Sequence, residues 1–341
     1  MLALLLAAVL VPASADVVIS VDDISGARAL LEKAGTHAPS IAPESLGATL
    51  RERVGVDLFA EPPAWGLAAR GARALAFSHD GVGLIAPVKD AAAAKRMLAS
   101  WIAQKPGRAG RVAGARLLTA SGRGASALLA GMARPTAIPR ALAARAKGPL
   151  WLWARLRDPL RGVVFSLDAS EAGLNGRGLA IASGPILAGP APAGAEPNLI
   201  SVRAGAGPAG RAALAQLLDV LGAPPQPALA KATRVEERIE DVDVHAISGL
   251  GSLSRALLIV PLFDGPEGTG AALEARFDLA KLDAALATLT PLDALRGGLA
   301  ASSLAAHLLY GRLLRNAGPL TLTGTPDGPS AADLDFRLPL R

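Results

Sequence analysis

Val17-Val18-Ile19-Ser20-Val21 runs into a helix-like stretch at residues 24–34, and Leu199-Ile200-Ser201-Val202-Arg203 runs into another at residues 210–221. The short β-branched runs read as strands and the Ala/Leu/Arg stretches behind them as helices. The helices share a pattern: Gly26-Ala27-Arg28-Ala29-Leu30-Leu31 against Gly210-Arg211-Ala212-Ala213-Leu214. Gly35 and Gly222 follow them, where a left-handed C-terminus is expected. A second pair of matching pieces lies downstream. Gly83-Leu84-Ile85-Ala86-Pro87-Val88-Lys89-Asp90 precedes a helix at 91–104, and Ala272-Leu273-Glu274-Ala275-Arg276-Phe277-Asp278 precedes one at 279–289. In each, the Asp is the expected N-cap, because its carboxylate can accept from the first free amides of the helix.

The pieces come in the same order in both halves, which predicts an internal duplication. Between the halves, residues 184–197 read GPILAGPAPAGAEP, a Pro/Gly/Ala linker without periodicity. The expected organisation is a signal peptide at 1–15, a first half at 16–183, the linker at 184–197 and a second half at 198–341. Further strands are expected at 75–77, 82–87, 116–119, 150–155, 162–168 and 174–182, then at 234–248, 256–263, 320–324 and 332–338. Short gaps such as Ser78-His79-Asp80-Gly81 call for antiparallel hairpins. The fold class is therefore α+β: antiparallel sheets with helices packed on one face.

The apolar share is 51% against 19% charged, enough for a real core in 341 residues. Aromatics are only 3%, so Leu, Ala, Val and Ile must fill that core. The absence of cysteine excludes disulfides, thiolate nucleophiles, cysteine-ligated metal and a lipobox anchor. Met1 to Ala15 reads MLALLLAAVLVPASA: an apolar run too short to span a bilayer, a Pro break, and Ala13-Ser14-Ala15 as an A-x-A cleavage site. No Lys or Arg precedes the run. This reads as an export signal and places the mature chain in the periplasm or outside the cell. Residues 299–314 are the nearest candidate membrane span, but Ser302, Ser303, His307 and Arg312 interrupt them, as in a buried helix.

Charge is polarised along the chain. Lys95 to Arg161 carries 14 Lys or Arg and one acid, Asp158, while Lys231 to Asp293 carries 11 acids and six bases. Arg outnumbers Lys 28 to 7, the codon signature of a GC-rich genome, so an Arg here need not touch a ligand and a solvated basic face is the plain alternative. The densest basic stretch is Lys105, Arg108, Arg111, Arg116 and Arg123, interleaved with Gly and Pro. It is expected to form a mobile anion-binding loop between the 91–104 helix and the 116 strand. Nucleic acid is disfavoured as a partner, since only Trp101 lies nearby to stack a base. Trp151 and Trp153, two apart on a strand, are expected in the core.

Catalytic signatures are weak. Asp241, Asp243 and His245 alternate onto one strand face, but their outer members are ~13 Å apart by strand rise, too far for one ion, and a wet strand face explains them. Gly122-Arg123-Gly124-Ala125-Ser126-Ala127 is a glycine-rich turn from strand to helix, able to offer backbone amides to a phosphate, without the full dinucleotide pattern. No G-x-S-x-G, S-x-x-K or H-E-x-x-H occurs, and His37, His79, His245 and His307 are dispersed. No cofactor, catalytic residue or metal ligand is assigned.

Residues 54–101 contain Gly55-Val56-Asp57-Leu58, then Pro63-Ala64-Trp65-Gly66, then Val88-Lys89-Asp90 at a strand end before a helix. This segment resembles exported bacterial envelope proteins of unknown function, an uncharacterised α+β domain family. The resemblance covers the first half and implies an envelope location and an α+β domain; no ligand or catalytic residue comes with it. Three functions follow for test. The first is a non-enzymatic envelope protein binding a protein partner or apolar ligand on a sheet face. The second is a hydrolase or metal-dependent enzyme without a recognisable motif, and the third binds an anionic envelope polymer or membrane surface through residues 95–161.

Overall fold

The computed structural model describes residues 10–36, 39–59, 65–170, 173–192, 199–220, 229, 231, 234–242, 257–263, 271–288, 308, 311 and 314–340. Helices alternate with strands, and every strand pairing among these residues is antiparallel, as the short hairpin gaps require. The chain divides into two units. Unit 1 is Met1–Leu156 with Gly162–Asp168, and unit 2 is Arg157–Arg161 with Ala169–Arg341.

Unit 1 contains β1 (Leu10–Pro12), β2 (Val17–Val21), α1 (Ile24–Gly35), α2 (Pro43–Val54), β3 (Arg73–Ser78), β4 (Gly81–Pro87), α3 (Ala91–Ala103), β5 (Arg108–Ala113), β6 (Arg116–Gly122), α4 (Ala125–Ala133), β7 (Pro135–Ala137), α5 (Arg140–Arg145) and β8 (Leu150–Arg155). Its sheet runs β8-β2-β3-β4-β6-β5, with residues 162–167 of β9 (Leu160–Ser170) paired to β8. β3 and β4 close as a hairpin in which Ser78 opposes Gly81. The segment expected to be a mobile loop is strand β5, in register with β6 from Arg108–Ser121 to Ala113–Arg116. Its Arg, Gly and Ala residues have little intrinsic preference for a strand. Pairing with β6 supplies the order that local propensity does not.

Side-chain alternation divides the sheet into two covered faces. On one, Leu84, Leu117, Leu75 and Ala86 pack with Val54, Leu98 and Trp101 of α2 and α3. A Cβ on Gly110 of β5 would meet Leu98, so the missing side chain lets α3 lie close. On the opposite face, a Cβ on Gly83 would run into Met132 and Leu128 of α4. Helices therefore cover both faces of this sheet, not the single face expected. The reason is that Gly83 and Ala120, opposed in register, leave a shallow strip that a second helix can fill. Trp151 and Trp153 are buried, as expected of core residues.

The first cap expectation is met at α3. Asp90 Oδ1 accepts from the amides of Ala92 (2.9 Å) and Ala93 (3.0 Å). The Ala93 bond, with smaller help from Ala92 and Arg96, holds this carboxyl below its ordinary range. A depressed carboxylate stabilises the fold above its unfolded pKa, and the contribution is lost as pH falls through the folded value. In thermal melts on the acid side, Asp90→Asn, which keeps an acceptor at the cap, is expected to show a flatter loss of stability than the parent chain; identical acid profiles would show that the carboxylate contributes nothing there. The left-handed end expected at Gly35 does not form: Thr36 caps α1 in a right-handed conformation. Gly35 is instead needed because a Cβ there would press on Ala42.

Unit 2 contains β10 (Gly173–Ala182), β11 (Ile200–Gly205), α6 (Pro208–Val220), β12 (Arg234–Val242), β13 (Leu257–Phe263), β14 (Leu273–Phe277), α7 (Leu279–Leu286), β15 (Leu320–Pro326) and β16 (Ala331–Pro339). Its strands run β13-β12-β11-β14-β15-β16-β10. Asp278 caps α7 by accepting from the Lys281 amide at 3.0 Å, the counterpart of Asp90. β10 pairs with β16 over residues 173–181, which ties it to the C-terminal strands and sets the unit boundary upstream of residues 184–197. Within that stretch Leu187 and Ala191 are buried, and Ala188 and Ala191 donate backbone hydrogen bonds to Gly205 and Ala271. Residues 193–198 lie outside the described residues.

Both matched pairs of pieces are strand followed by helix, and β2 and β11 are alike in having the first strand after their helices, β3 and β12, as an immediate neighbour. The second pieces hold different places. β4 lies beyond β3 from β2, whereas β14 pairs directly with β11 on the side away from β12. The correspondence in sequence order does not extend to sheet position.

Candidate functional site

The C-terminus of α2 is fastened to the sheet by its own last carbonyls. Glu52 O accepts from Trp101 Nε1 (3.3 Å) and Arg108 Nη2 (2.9 Å), Val54 O from Thr119 Oγ1 (2.7 Å), and Arg51 O from the amide of Gly55, a left-handed cap at φ 81°. Helix ends leave such carbonyls unpaired and partly negative, so a guanidinium set among them is doubly favourable. Arg108 also donates to Trp101 O (2.9 Å) and Gln104 Oε1 (3.1 Å) and lies 4.9 Å over the Trp101 ring. Its job is structural. Replacing Arg108 by Ala is expected to destabilise unit 1 by about 1–3 kcal/mol, from orphaned carbonyls and a lost cation–π contact; urea unfolding measures it, and an unchanged midpoint would show that water serves those carbonyls equally well.

Fastening α2 in this way brings Arg53 to the end of the β5–β6 hairpin and builds a cleft of about 380 Å³. Glu52, Arg53, Lys105, Pro106, Gly107, Arg108, Ser121, Gly122 and Arg123 line it. Four are cations and one is an acid. Lys105 Nζ is 3.8 Å from Glu52 Oε1, with both side chains about 60% exposed (62% and 60%), so this ion pair is loose and water-screened. Arg53 and Arg123 have no carboxylate partner among the described residues. Gly122, at φ +107°, lets β6 turn toward α4; a Cβ there would strike the Asp80 carbonyl. Arg123 is thereby presented between the end of the strand and the first turn of a helix whose N-cap, Gly124, gives no side-chain hydrogen bond.

Of the five basic residues singled out in the sequence, the structure brings together Lys105, Arg108 and Arg123. Arg111 and Arg116 are exposed on the other face of the hairpin, Arg111 opposite Leu118 and Arg116 opposite Ala113. Sequence reasoning missed Arg53, whose place depends on the docking of α2, and no motif announces it. The alternating acids and imidazole are not brought into view as a set: Asp243 and His245 lie outside the described residues. Among the described residues no group of three His, Cys, Asp or Glu is placed to hold a metal ion, and no helix is long and apolar enough to cross a membrane.

A second, smaller hollow of about 220 Å³ lies on the unit 2 sheet, between β11, β14 and β15. Its Arg203 is held by Glu274 at 2.6 Å, which leaves Arg276 as the one further charged side chain lining it.

No protein-family model matches the chain. No curated protein matches it. Among solved structures, TP0453 in crystal form III is similar with a TM-score of 0.28 and 12% identity over 60% of this chain and 84% of that one. Its crystal forms IV and I give TM-scores of 0.28 at 13% and 12% identity, covering 49% and 60% of this chain and 76% and 83% of theirs. At that level the likeness carries no argument about this chain.

Proposed function

We propose that this is an exported envelope protein that works by binding rather than catalysis, and that the unit 1 cleft receives an anionic group of its partner. The observation that carries the reading is the convergence of Arg53, Lys105 and Arg123 around one opening, with Arg108 committed to the scaffold. The cleft offers positive charge, guanidinium forks suited to carboxylate or phosphate, and the Ser121 hydroxyl. Its one carboxylate, Glu52, is outnumbered by four cations, so the opening is net positive. The anionic reading is therefore favoured over an apolar ligand.

Export rests on the apolar run and the Ala13-Ser14-Ala15 site. In the fold, Val11 and Ala15 are buried and β1 pairs with β7. A peptidase needs an extended, accessible chain, so cleavage after Ala15 belongs before folding and removes β1 from the mature protein. Mass spectrometry of the periplasmic fraction is expected to find Asp16 at the N-terminus, and an intact Met1 on cytosolic protein would overturn this part. For the cleft, calorimetry with pyrophosphate as probe is expected to show binding that weakens as salt rises, because exposed charges are screened within about 10 Å at 0.1 M ionic strength. Absence of binding at low salt, or binding indifferent to Arg53→Ala and Arg123→Ala, would overturn it.

A further inference from the structure

We propose that the outer edge of β5 receives an extended acidic segment of a partner protein as an added strand, its carboxylates entering the cleft at the end of that edge. The inference rests on the reading of the cleft as an anion site and names the partner's chemistry.

β5 is the last strand on its side of the sheet and pairs only with β6 among the described residues. The hydrogen-bond phase tells which of its backbone groups are free. The amide of Gly122 donates to Gly107 O at 3.0 Å, so Gly107 and Gly122 form a bonded pair across the end of the ladder. Bonded and non-bonded pairs alternate in an antiparallel ladder. Ala109, Arg111 and Ala113 therefore bond to β6, while the N–H and C=O groups of Arg108, Gly110 and Val112 point away from it. The far side of β6 gives the same phase, since the Val88 amide donates to Ala115 O at 2.8 Å and turns the odd-numbered residues of β6 toward β4. Among the described residues nothing bonds the outward groups of Arg108, Gly110 and Val112.

An unpaired row of donors and acceptors is a template for another strand unless something blocks it. Two of the usual blocks, proline and a bulge, are absent here. β5 contains no Pro, its register with β6 has no bulge, and Ala109, Gly110 and Ala113 put little bulk along it. What it carries is charge. Arg108 and Arg111 sit in the strand, and Lys105, Arg53 and Arg123 gather at its N-terminal end. Positive charge on an edge repels basic strands and penalises apolar ones, yet it admits acidic ones. A segment added antiparallel to β5 would bring its C-terminal end to Arg108 and the cleft. Acidic residues there would meet Arg123 and Lys105, while the outward amides and carbonyls fix the backbone. A phosphate-bearing polymer or lipid surface could meet the charge but has no alternating donors and acceptors to match the edge, so the observations favour a polypeptide.

The test uses the whole protein and four probes in fluorescence anisotropy: a short peptide alternating Thr and Val and ending in Glu-Glu, the same peptide N-methylated at alternate residues, the same ending in Lys-Lys, and pyrophosphate as competitor. The acidic peptide is expected to bind, to be displaced by pyrophosphate, and to bind at least about tenfold more tightly than the methylated or basic forms, because methylation removes the strand-pairing donors and Lys reverses the charge. Binding should also slow amide exchange at Arg108, Gly110 and Val112. Equal binding of the methylated peptide, with pyrophosphate still bound, would overturn strand addition and leave the cleft reading standing. Failure of both pyrophosphate and peptide would overturn the cleft itself. In two further titrations, tighter binding of polyphosphate or of anionic phosphatidylglycerol vesicles than of the acidic peptide would overturn the polypeptide partner in favour of a polymer or membrane.

Discussion

Reversing two charges at once, Lys105→Glu with Arg123→Glu, is expected to weaken binding of pyrophosphate by about a hundredfold or more while leaving the fold intact, since each ionic hydrogen bond lost is worth about 1.5–3 kcal/mol. Both side chains line the cleft, and both are exposed. Lys105 gives up only its loose 3.8 Å pair with Glu52, and Arg123 gives up no carboxylate. Circular dichroism and urea midpoints should therefore barely move, while calorimetry records the loss. Arg111→Glu with Arg116→Glu is the matched control: it makes the same change in net charge on the opposite face of the same hairpin. If the control weakens binding as much as the cleft pair does, the protein attracts anions by its overall field and the cleft is not a site.

The largest single loss of stability is expected at Arg73. This residue opens β3 and is only 1% exposed. Nη2 donates to Ala68 O at 2.6 Å and Nη1 to Gly71 O at 3.4 Å, while among the described residues Nε has no partner and no carboxylate balances the charge. Burial pulls its guanidinium below its ordinary value, though an arginine so shifted is still charged at neutral pH. Its hydrogen bonds fold the approach to β3 back on itself. Arg73→Ala would leave a cavity and orphan the carbonyls of Ala68 and Gly71, and should cost about 3 kcal/mol in urea unfolding. Arg73→Met fills most of the volume and removes the desolvated charge, so its cost should be smaller, about 1 kcal/mol. If Met proves as damaging as Ala, the hydrogen bonds rather than the packing hold this corner. If Ala is neutral, the guanidinium reaches water in solution and its burial contributes nothing.

Arg73 also shows where reading the sequence stops. Nothing in Gly71-Ala72-Arg73-Ala74-Leu75 marks that arginine as buried, because its burial depends on the loop at Ala68 and on β2 alongside. Arg53 is the same case at the cleft. It stands among ordinary helix-end cations until Glu52 O and Val54 O are bonded to Trp101, Arg108 and Thr119. β5 was hidden for another reason: Arg108-Ala109-Gly110-Arg111-Val112-Ala113 has neither strand alternation nor β-branched density, and becomes a strand only because β6 offers it a ladder. The Pro/Gly/Ala stretch at 184–197 looks like a linker locally, but β10 is committed to β16 by a pairing that spans half the chain.

By itself, the sequence determined what short-range forces decide. Its β-branched runs are strands, Asp90 and Asp278 cap helices, Ser78–Gly81 closes a hairpin, Trp151 and Trp153 are buried, and the class is antiparallel α+β. It also picked out the basic cluster, since composition and charge are additive and need no coordinates. Tertiary structure decided which of those charges meet. Alternation on a strand sends Arg108 and Arg111 to opposite faces, and only a helix docked from residues 43–54 adds Arg53. The physical reason is range: caps and turns are fixed within a few residues, whereas a cleft is fixed by contacts whose partners lie far apart along the chain.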